Sequence, residues 1–314
     1  MRAATIRDKQ LLVEDHPDPE PGDGEVLVRV RAAGLNGADM HQLAGGYPAP
    51  PGAPPDIPGL ELAGEVVSRG PGAERFDLGD RVMAIVGGGG QAELAVVHER
   101  VLMPVPEALS WNEAGGVPEV FTTAHDALFS QAQLEMGEHL LVHGGAGGVG
   151  TAAIQLGRAT GARVTATVRN QELHEKVADL GAEVVAPDAF VDAGPYDVIL
   201  ELVGAVNLAD NLRALNTLGR ISVIGMGAGA KSEINLGMLL MKRGRIHGST
   251  LRSRPLEAKA MTARAMERSV LPELDSGRVR VLVAEVYPLE RAPEAYDHFQ
   301  AGGKLGKIIL AMPD

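Results

Sequence analysis

HLLVHGGAGGVGTAAIQLGRATG, residues 139–161, decides how this chain is read. His139–His143 is a short apolar run of strand type, and Val149–Thr160 carries apolar residues at helical spacing. Between them stand Gly145, Gly147 and Gly150 in G-x-G-x-x-G order. The first glycine permits a tight turn, the second lets backbone approach a pyrophosphate, and the third allows close helix–strand packing. The helix N-terminus adds amide donors and the positive end of a dipole. A glycine pattern alone is weak, but one that follows a strand and opens a helix marks a dinucleotide site. The candidate binding residues are therefore Gly145, Ala146, Gly147, Gly148, Val149 and Gly150.

Toward the C-terminus, the next strand, Arg163–Val168, ends in Arg169-Asn170, nineteen positions after Gly150. NAD sites usually place an acid about 20 residues on, to hold the ribose 2′-hydroxyl. Arginine instead suits a 2′-phosphate, which it binds as a charged fork. Arg169 and Asn170 are thus candidate cofactor contacts and NADPH is the expected cofactor, although Glu172 and Glu175 weaken the local field. An ordinary surface arginine is the alternative. A helix to Leu180 ends at Gly181, and strands at 196–203, 220–225 and 245–251 continue the series, with a helix at 208–218. Parallel strands need such crossovers, so this half is expected to be a doubly wound sheet. A long helix over 256–274 precedes a last strand, 306–310, that is expected to return to the first domain.

Toward the N-terminus the pattern changes. Segments 25–30, 61–67, 81–86 and 92–97 alternate apolar and polar residues between Gly and Pro punctuation, which reads as β-rich. Residues 49–58 form a Pro-rich loop, and Gly87–Gly90 reads as a turn or mobile loop. The expected division is a β-rich catalytic domain, 1–114 with 256–314, and a Rossmann dinucleotide domain, 115–255.

Composition narrows the function classes. The 314 residues are 45% hydrophobic and contain 40 glycines, 20 prolines and no cysteine. Zero cysteines exclude disulfides, thiolate catalysis and zinc sites built on cysteine. The net charge of −12 leaves no basic footprint for nucleic acid. No stretch has the apolar length of a membrane span, and the opening MRAATIRDKQLLVED lacks a signal-peptide core, so a cytoplasmic location is expected.

Several segments resemble the zinc-free quinone oxidoreductase (zeta-crystallin-like) branch of the medium-chain dehydrogenase/reductase superfamily. They are AAGLNGADMHQLAGGYPAPPG (32–52), PGLELAGEVVSRGPG (58–72), LMPVPEALSWNEAGGVPEVFTTAHDAL (102–128), GGAGGVGTAAIQLGRATGA (144–162) and STLRSR (249–254). The resemblance implies an α/β fold: a GroES-like β-rich catalytic domain plus a Rossmann doubly wound parallel sheet. It also implies a metal-free site, because Asn36-Gly37 and Leu60 stand where zinc enzymes of the superfamily carry cysteine and histidine ligands.

Carried over by position, the functional residues are Asn36 and Tyr47 near the nicotinamide and Thr123 near its ribose. Asp39 is either functional or a support for the Asn36 loop. Two departures stand out: Gln91 replaces a frequent tyrosine, and Glu172-Leu173 replace a frequent lysine. The implied activity is NADPH-dependent, metal-free hydride transfer to a quinone or similar electron-poor acceptor, such as a small molecule bound near Gly45–Asp56 and Gly87–Gln91. A quinone becomes a stabilised phenolate, so positioning suffices and little acid catalysis is needed. The alternatives are an enone or 2-alkenal reductase and a non-catalytic NADPH-binding protein. A homodimer paired through the strand at 245–251 is also expected.

Overall fold

The computed structural model describes residues 1–313. The chain begins with β1 (Arg2–Arg7), β2 (Gln10–Asp15), β3 (Glu25–Gly34), helix α1 (Gly37–Leu43), β4 (Glu61–Arg69), β5 (Arg81–Ile85), β6 (Leu94–His98) and β7 (Met103–Pro104). Helices α2 (Trp111–Ala114) and α3 (Pro118–His125) lead into β8 (His139–Val142), α4 (Gly148–Ala159), β9 (Arg163–Thr167), α5 (His174–Ala178) and β10 (Glu183–Val185). Then come β11 (Tyr196–Glu201), α6 (Leu208–Ala214), β12 (Leu215–Val223), α7 (Leu236–Lys242) and β13 (Arg245–Gly248). The chain closes with α8 (Leu256–Ser269), α9 (Leu271–Asp275), β14 (Val283–Pro288), α10 (Ala292–Ala301) and β15 (Lys307–Ala311). Two compact units result: Met1–Thr122 together with the chain from Leu251 onward, and Thr123–Thr250. The sequence placed these divisions at 114/115 and 255/256.

In the first unit the sheet order is β14-β15-β3-β4-β5-β7, with β6 also on β3. Strand β3 shows why it forms: Val26, Val28 and Val30 are fully buried while Arg29 between them is exposed, the period-two pattern of a half-covered strand. Their core includes Leu62, Val82, Ile308 and Leu310. The last strand does return, since β15 pairs antiparallel with β3 through Ile309↔Gly34.

In the second unit six parallel strands run β10-β9-β8-β11-β12-β13. Numbered from β8, this is the 3-2-1-4-5-6 order of a doubly wound dinucleotide fold. The strand order reverses between β8 and β11, and Leu141, Ile199, Ile221 and Leu215 pack in its core.

Two expected helices are shorter than their apolar spacing suggested. The helix expected over 208–218 ends at Ala214. There the Asn216 side chain takes the Thr217 amide (2.9 Å) and bonds Asp197 (2.8 Å), a local turn that competes with helix. The helix expected over 256–274 breaks between Ser269 and Leu271, because Pro272 lacks an amide and its ring clashes with the preceding turn. Among the described residues no helix is long and apolar enough to cross a membrane.

Candidate active site

The glycine turn of the second unit joins β8 to α4 at the reversal of strand order. Gly145 donates its amide to the Thr167 carbonyl (3.0 Å), and a Cβ there would sit 2.8 Å from Ala166 Cβ. A Cβ on Gly150 would come within 2.3 Å of the Gly144 carbonyl oxygen, so packing alone demands glycine. Gly147 differs. It is exposed, has φ −75° and ψ 167°, and a Cβ there would meet nothing closer than the Gly144 oxygen at 3.5 Å. No part of the chain requires glycine at 147, whereas a ligand backbone passing over it would. Helix α4 also starts without a side-chain cap, leaving its first-turn amides unclaimed by side chains. This arrangement fits a pyrophosphate.

Beyond β9, Arg169 is exposed and has no hydrogen bond or ion pair among the described residues. Asn170 is less free, because its side chain accepts the Glu172 amide (3.1 Å). Thr123 is 8% exposed within α3, and its hydroxyl has no hydrogen bond among the described residues. Gly148, Ala146 and Val149 are partly covered at the turn.

In the first unit Asn36 precedes α1 and is 8% exposed. Its amide group donates to Glu61 Oε1 (2.9 Å) and to the Gly34 carbonyl (3.2 Å), and its Oδ1 accepts from Lys307 Nζ (2.7 Å). Lys307 also lies 2.6 Å from Glu61 Oε1, both side chains being almost wholly buried. Both amide hydrogens of Asn36 are therefore committed to the scaffold. Asp39 is fully buried and accepts the amides of Asn36 (2.8 Å) and Gly59 (3.2 Å), which makes it a loop anchor. Burial pushes its carboxyl up to about 7, against the pull of the Asn36 amide, Lys307 and the Gly59 amide. Gln91 points inward, donating to Asp39 (3.4 Å) and accepting from Tyr296 (2.8 Å), so it does not replace the missing aromatic.

Tyr47 is half-buried in its loop, and the guanidinium of Arg252 lies 4.8 Å from its ring centroid. Arg252 also donates to the Tyr47 carbonyl (3.0 Å), the Gly87 carbonyl (2.8 Å) and Gln42 Oε1 (2.5 Å). It thereby ties the two expected acceptor loops together. The glycine run is not a free tip: Gly89 donates to the Ile57 carbonyl (2.9 Å), and a Cβ on Gly87 would meet Pro50 and Ala53 at 3.0 Å.

Glu119, in the first turn of α3, has an Oε2 sealed from solvent with no hydrogen-bond partner among the described residues. Burial and the charge of Glu61 push this carboxyl up to about 8, Lys307 opposing and Asp39 adding. Lys307, Arg252 and Glu119 were not among the candidate residues read from the sequence, Glu61 stood there only within a matching segment, and Gln91 only as the replacement for a frequent tyrosine. STLRSR and GLELAG lay in quoted segments, but identity there did not reveal apposition.

Among the described residues no group of three or more His, Cys, Asp or Glu is arranged to hold a metal ion. His139 and His143, four apart, lie on and just after a strand, and their ring nitrogens bond Thr165 (2.9 Å) and Thr167 (3.1 Å). A cavity of about 20 Å³ among Met103, Thr122, Leu251 and Lys259 is large enough for one water and too small for an aromatic ring.

Residues 22–107 match the alcohol dehydrogenase GroES-like domain, and residues 148–267 match the zinc-binding dehydrogenase domain. The quinone oxidoreductase of Rattus norvegicus is 33% identical over 306 residues, covering 94% of this chain and 91% of that one. An alcohol dehydrogenase superfamily protein from Novosphingobium aromaticivorans superposes with a TM-score of 0.87 at 29% identity, covering 100% of both chains. The quinone oxidoreductase of Pseudomonas syringae pv. Tomato DC3000 superposes at 0.86 with 27% identity, covering 99% of each.

Proposed function

Because the chain belongs to the medium-chain dehydrogenase/reductase superfamily, alongside its quinone oxidoreductases, we propose that it is an NADPH-dependent reductase that passes hydride, without a metal, to a quinone or similarly electron-poor small molecule. The observation that carries this reading is the glycine turn at the strand-order reversal, with an unpaired Arg169 just past the next strand. The dinucleotide, when bound, supplies the hydride from its nicotinamide ring. The amides at the start of α4 receive the pyrophosphate, and Gly147 lets it approach. Arg169, with Asn170 beside it, takes the 2′-phosphate, and the free Thr123 hydroxyl turns to the nicotinamide ribose.

On the acceptor side Tyr47 offers a ring face and a hydroxyl, held by Arg252. Asn36 orders the same region through Glu61 and Lys307, since its amide is committed. A quinone needs no strong acid, and Tyr47 or water returns the proton. Zero cysteines and a buried Leu60 support a metal-free reaction. A homodimer and a cytoplasmic location complete the proposal. The dimer reading is supported by β13 at the sheet edge and by exposed Leu236, Leu240 and Met241 on α7.

An enone acceptor is the second reading: it needs a proton at its α-carbon, and burial pushes the Glu119 carboxyl up to about 8. The test is a steady-state screen of quinones and enones with NADPH and NADH, with and without chelator. The proposal expects quinone turnover with NADPH, unchanged in chelator. Enone turnover alone would move the acceptor, loss of activity in chelator would end the metal-free reading, and dinucleotide binding without turnover would leave a binding protein.

A further inference from the structure

Beneath the glycine turn, inside the second unit, runs a line of buried polar groups that the proposed chemistry does not use. It starts at Glu201, the last residue of β11, which is 3% exposed and has no lysine or arginine partner among the described residues. Its Oε1 accepts the amides of Val203 (2.7 Å) and Gly204 (2.9 Å), and its Oε2 accepts Asn211 Nδ2 (2.7 Å). The amide nitrogen of Asn207 reaches both oxygens, at 3.3 and 3.2 Å. Four dipoles hold a carboxylate in place of a cation.

That arrangement sets the direction of every bond that follows. Oε1 is taken by two backbone amides and Oε2 by side-chain N–H groups, so Asn211 turns its NH₂ toward Glu201 and its Oδ1 away. Oδ1 lies 2.8 Å from His143 Nε2, which must then carry the hydrogen. His143 Nδ1 is left bare and accepts from the Thr167 hydroxyl at 3.1 Å. Thr167 Oγ1 in turn accepts the Gly144 amide at 3.2 Å. Asn211, His143 and Thr167 are 0%, 1% and 2% exposed, so water does not compete. Burial pushes the imidazole below its ordinary range, although the charge of Glu201 and the Asn211 bond pull it up. Bonds aligned head to tail polarise one another, and breaking any one leaves a buried group unpaired.

The two ends of this line are the turn after β8 and the turn after β11, the strands that flank the reversal of order. We infer that His143, locked as the neutral Nε2–H tautomer between Thr167 and Asn211, is a positioning residue that holds the glycine turn in its dinucleotide-binding form, with Glu201 as the anchor that sets the direction. This rests on the dinucleotide reading of that turn. Replacing Glu201 by glutamine puts a donor where only an acceptor stood. Asn211 must then turn over, and His143 must move its hydrogen to Nδ1. Thr167 would accept from both His143 and Gly144, and its own hydrogen would lose its partner.

The experiment combines a spectroscopic and a binding measurement. Nitrogen-15 NMR on protein labelled at histidine reads the tautomer, with the His143 signals identified by their loss in His143→Gln. The expected result is Nε2–H in the wild type and Nδ1–H in Glu201→Gln. Fluorescence titration with NADPH is expected to show roughly tenfold weaker binding for His143→Ala and Glu201→Gln. His143→Gln, which keeps one donor and one acceptor, should recover part of this, and kcat at saturating NADPH should stay within about twofold of wild type. If His143→Ala does not fold, Thr167→Val removes a single hydroxyl from the line and carries the same expectation. A wild-type Nδ1–H tautomer would overturn the inference. So would NADPH affinity unchanged in the variants while the wild type binds. A wild type that binds neither NADPH nor NADH would instead fell the dinucleotide reading, and the role of His143 with it, whatever the tautomer.

Discussion

Alanine at Gly147 and alanine at Gly150 should produce opposite phenotypes, although both glycines belong to one short motif. At Gly147 the backbone has φ −75° and ψ 167°, open to any residue, and the added methyl meets nothing nearer than 3.5 Å. A glycine-to-alanine change at a compatible position stabilises by about 0.4–1 kcal/mol through the unfolded chain. The melting temperature of Gly147→Ala should therefore hold or rise by about 1–3 °C. At Gly150 the methyl would come within 2.3 Å of a backbone oxygen, so the turn must shift by about 1 Å. Overpacking of that kind costs about 1–3 kcal/mol, and the melting temperature of Gly150→Ala should fall by several degrees. Binding should separate them the other way. A methyl at 147 stands where the pyrophosphate would pass, and losing one charged contact of about 1.5–3 kcal/mol weakens binding about 10- to 150-fold. Thermal unfolding and NADPH titration of both variants test the pair. A stable Gly147→Ala that binds NADPH as tightly as wild type would refute the assignment of that glycine to ligand approach.

Arg169→Ala should weaken NADPH binding about tenfold and leave NADH unchanged, the low end for a charge-assisted contact that is exposed and near glutamates; equal losses for both cofactors would remove Arg169 from 2′-phosphate recognition. Glu119 gives a pH prediction. Its carboxyl is raised from 4.5 to about 8, so the folded state holds a proton that the unfolded chain has lost, and stability falls as pH rises through that window. Glu119→Gln should match wild type near pH 4.5 and exceed it at pH 9. The linkage ceiling is about 5 kcal/mol, discounted to about 1–2 because the residue as a whole keeps some solvent exposure although its Oε2 is sealed. Parallel denaturant curves for the two proteins across pH would sink this. Arg252→Lys should raise KM for the acceptor several-fold with kcat changed less, because the three acceptors are met by three separate nitrogens of the guanidinium and lysine's single nitrogen cannot span them; an unchanged KM would free the loops from Arg252. Light scattering should give twice the 32.8 kDa of one chain, reduced to a monomer in Leu240→Glu; a monomeric wild type would dismiss the dimer.

The dinucleotide half was legible because its ligand makes demands on neighbouring residues: a strand, a turn without side chains and a helix start, all within 139–161. The alternating strands β3, β4 and β5 were legible for the same local reason. Strand β14 was not, since VAEVYP buries little and leaves no apolar face to read. The first hairpin, β1 with β2, was passed over in a stretch read only for targeting signals. The buried ion pair was invisible because Glu61 and Lys307 lie far apart in the chain, and sequence identifies partners without placing them together. Gly87–Gly90 read as a turn or mobile loop because glycine permits freedom. Here it serves close packing against the proline loop, which depends on a neighbour from another segment.

The pairing of Glu61 with Lys307 also imposes an order on biosynthesis. A ribosome adding 5–20 residues per second needs roughly 12–50 s to travel from residue 61 to residue 307. Throughout that interval Glu61 has no cation, and strand β3 lacks the neighbour that β15 supplies. A carboxylate cannot be sealed in an apolar interior without its partner, so the N-terminal segments must stay loose while they wait. The second unit comes from one unbroken stretch, 123–250, and can close as soon as it leaves the exit tunnel. The middle of this chain is thus finished before its beginning. A chain that stopped shortly before residue 307 would still contain the whole of 123–250, but Glu61 would lack its cation and β3 its neighbour β15.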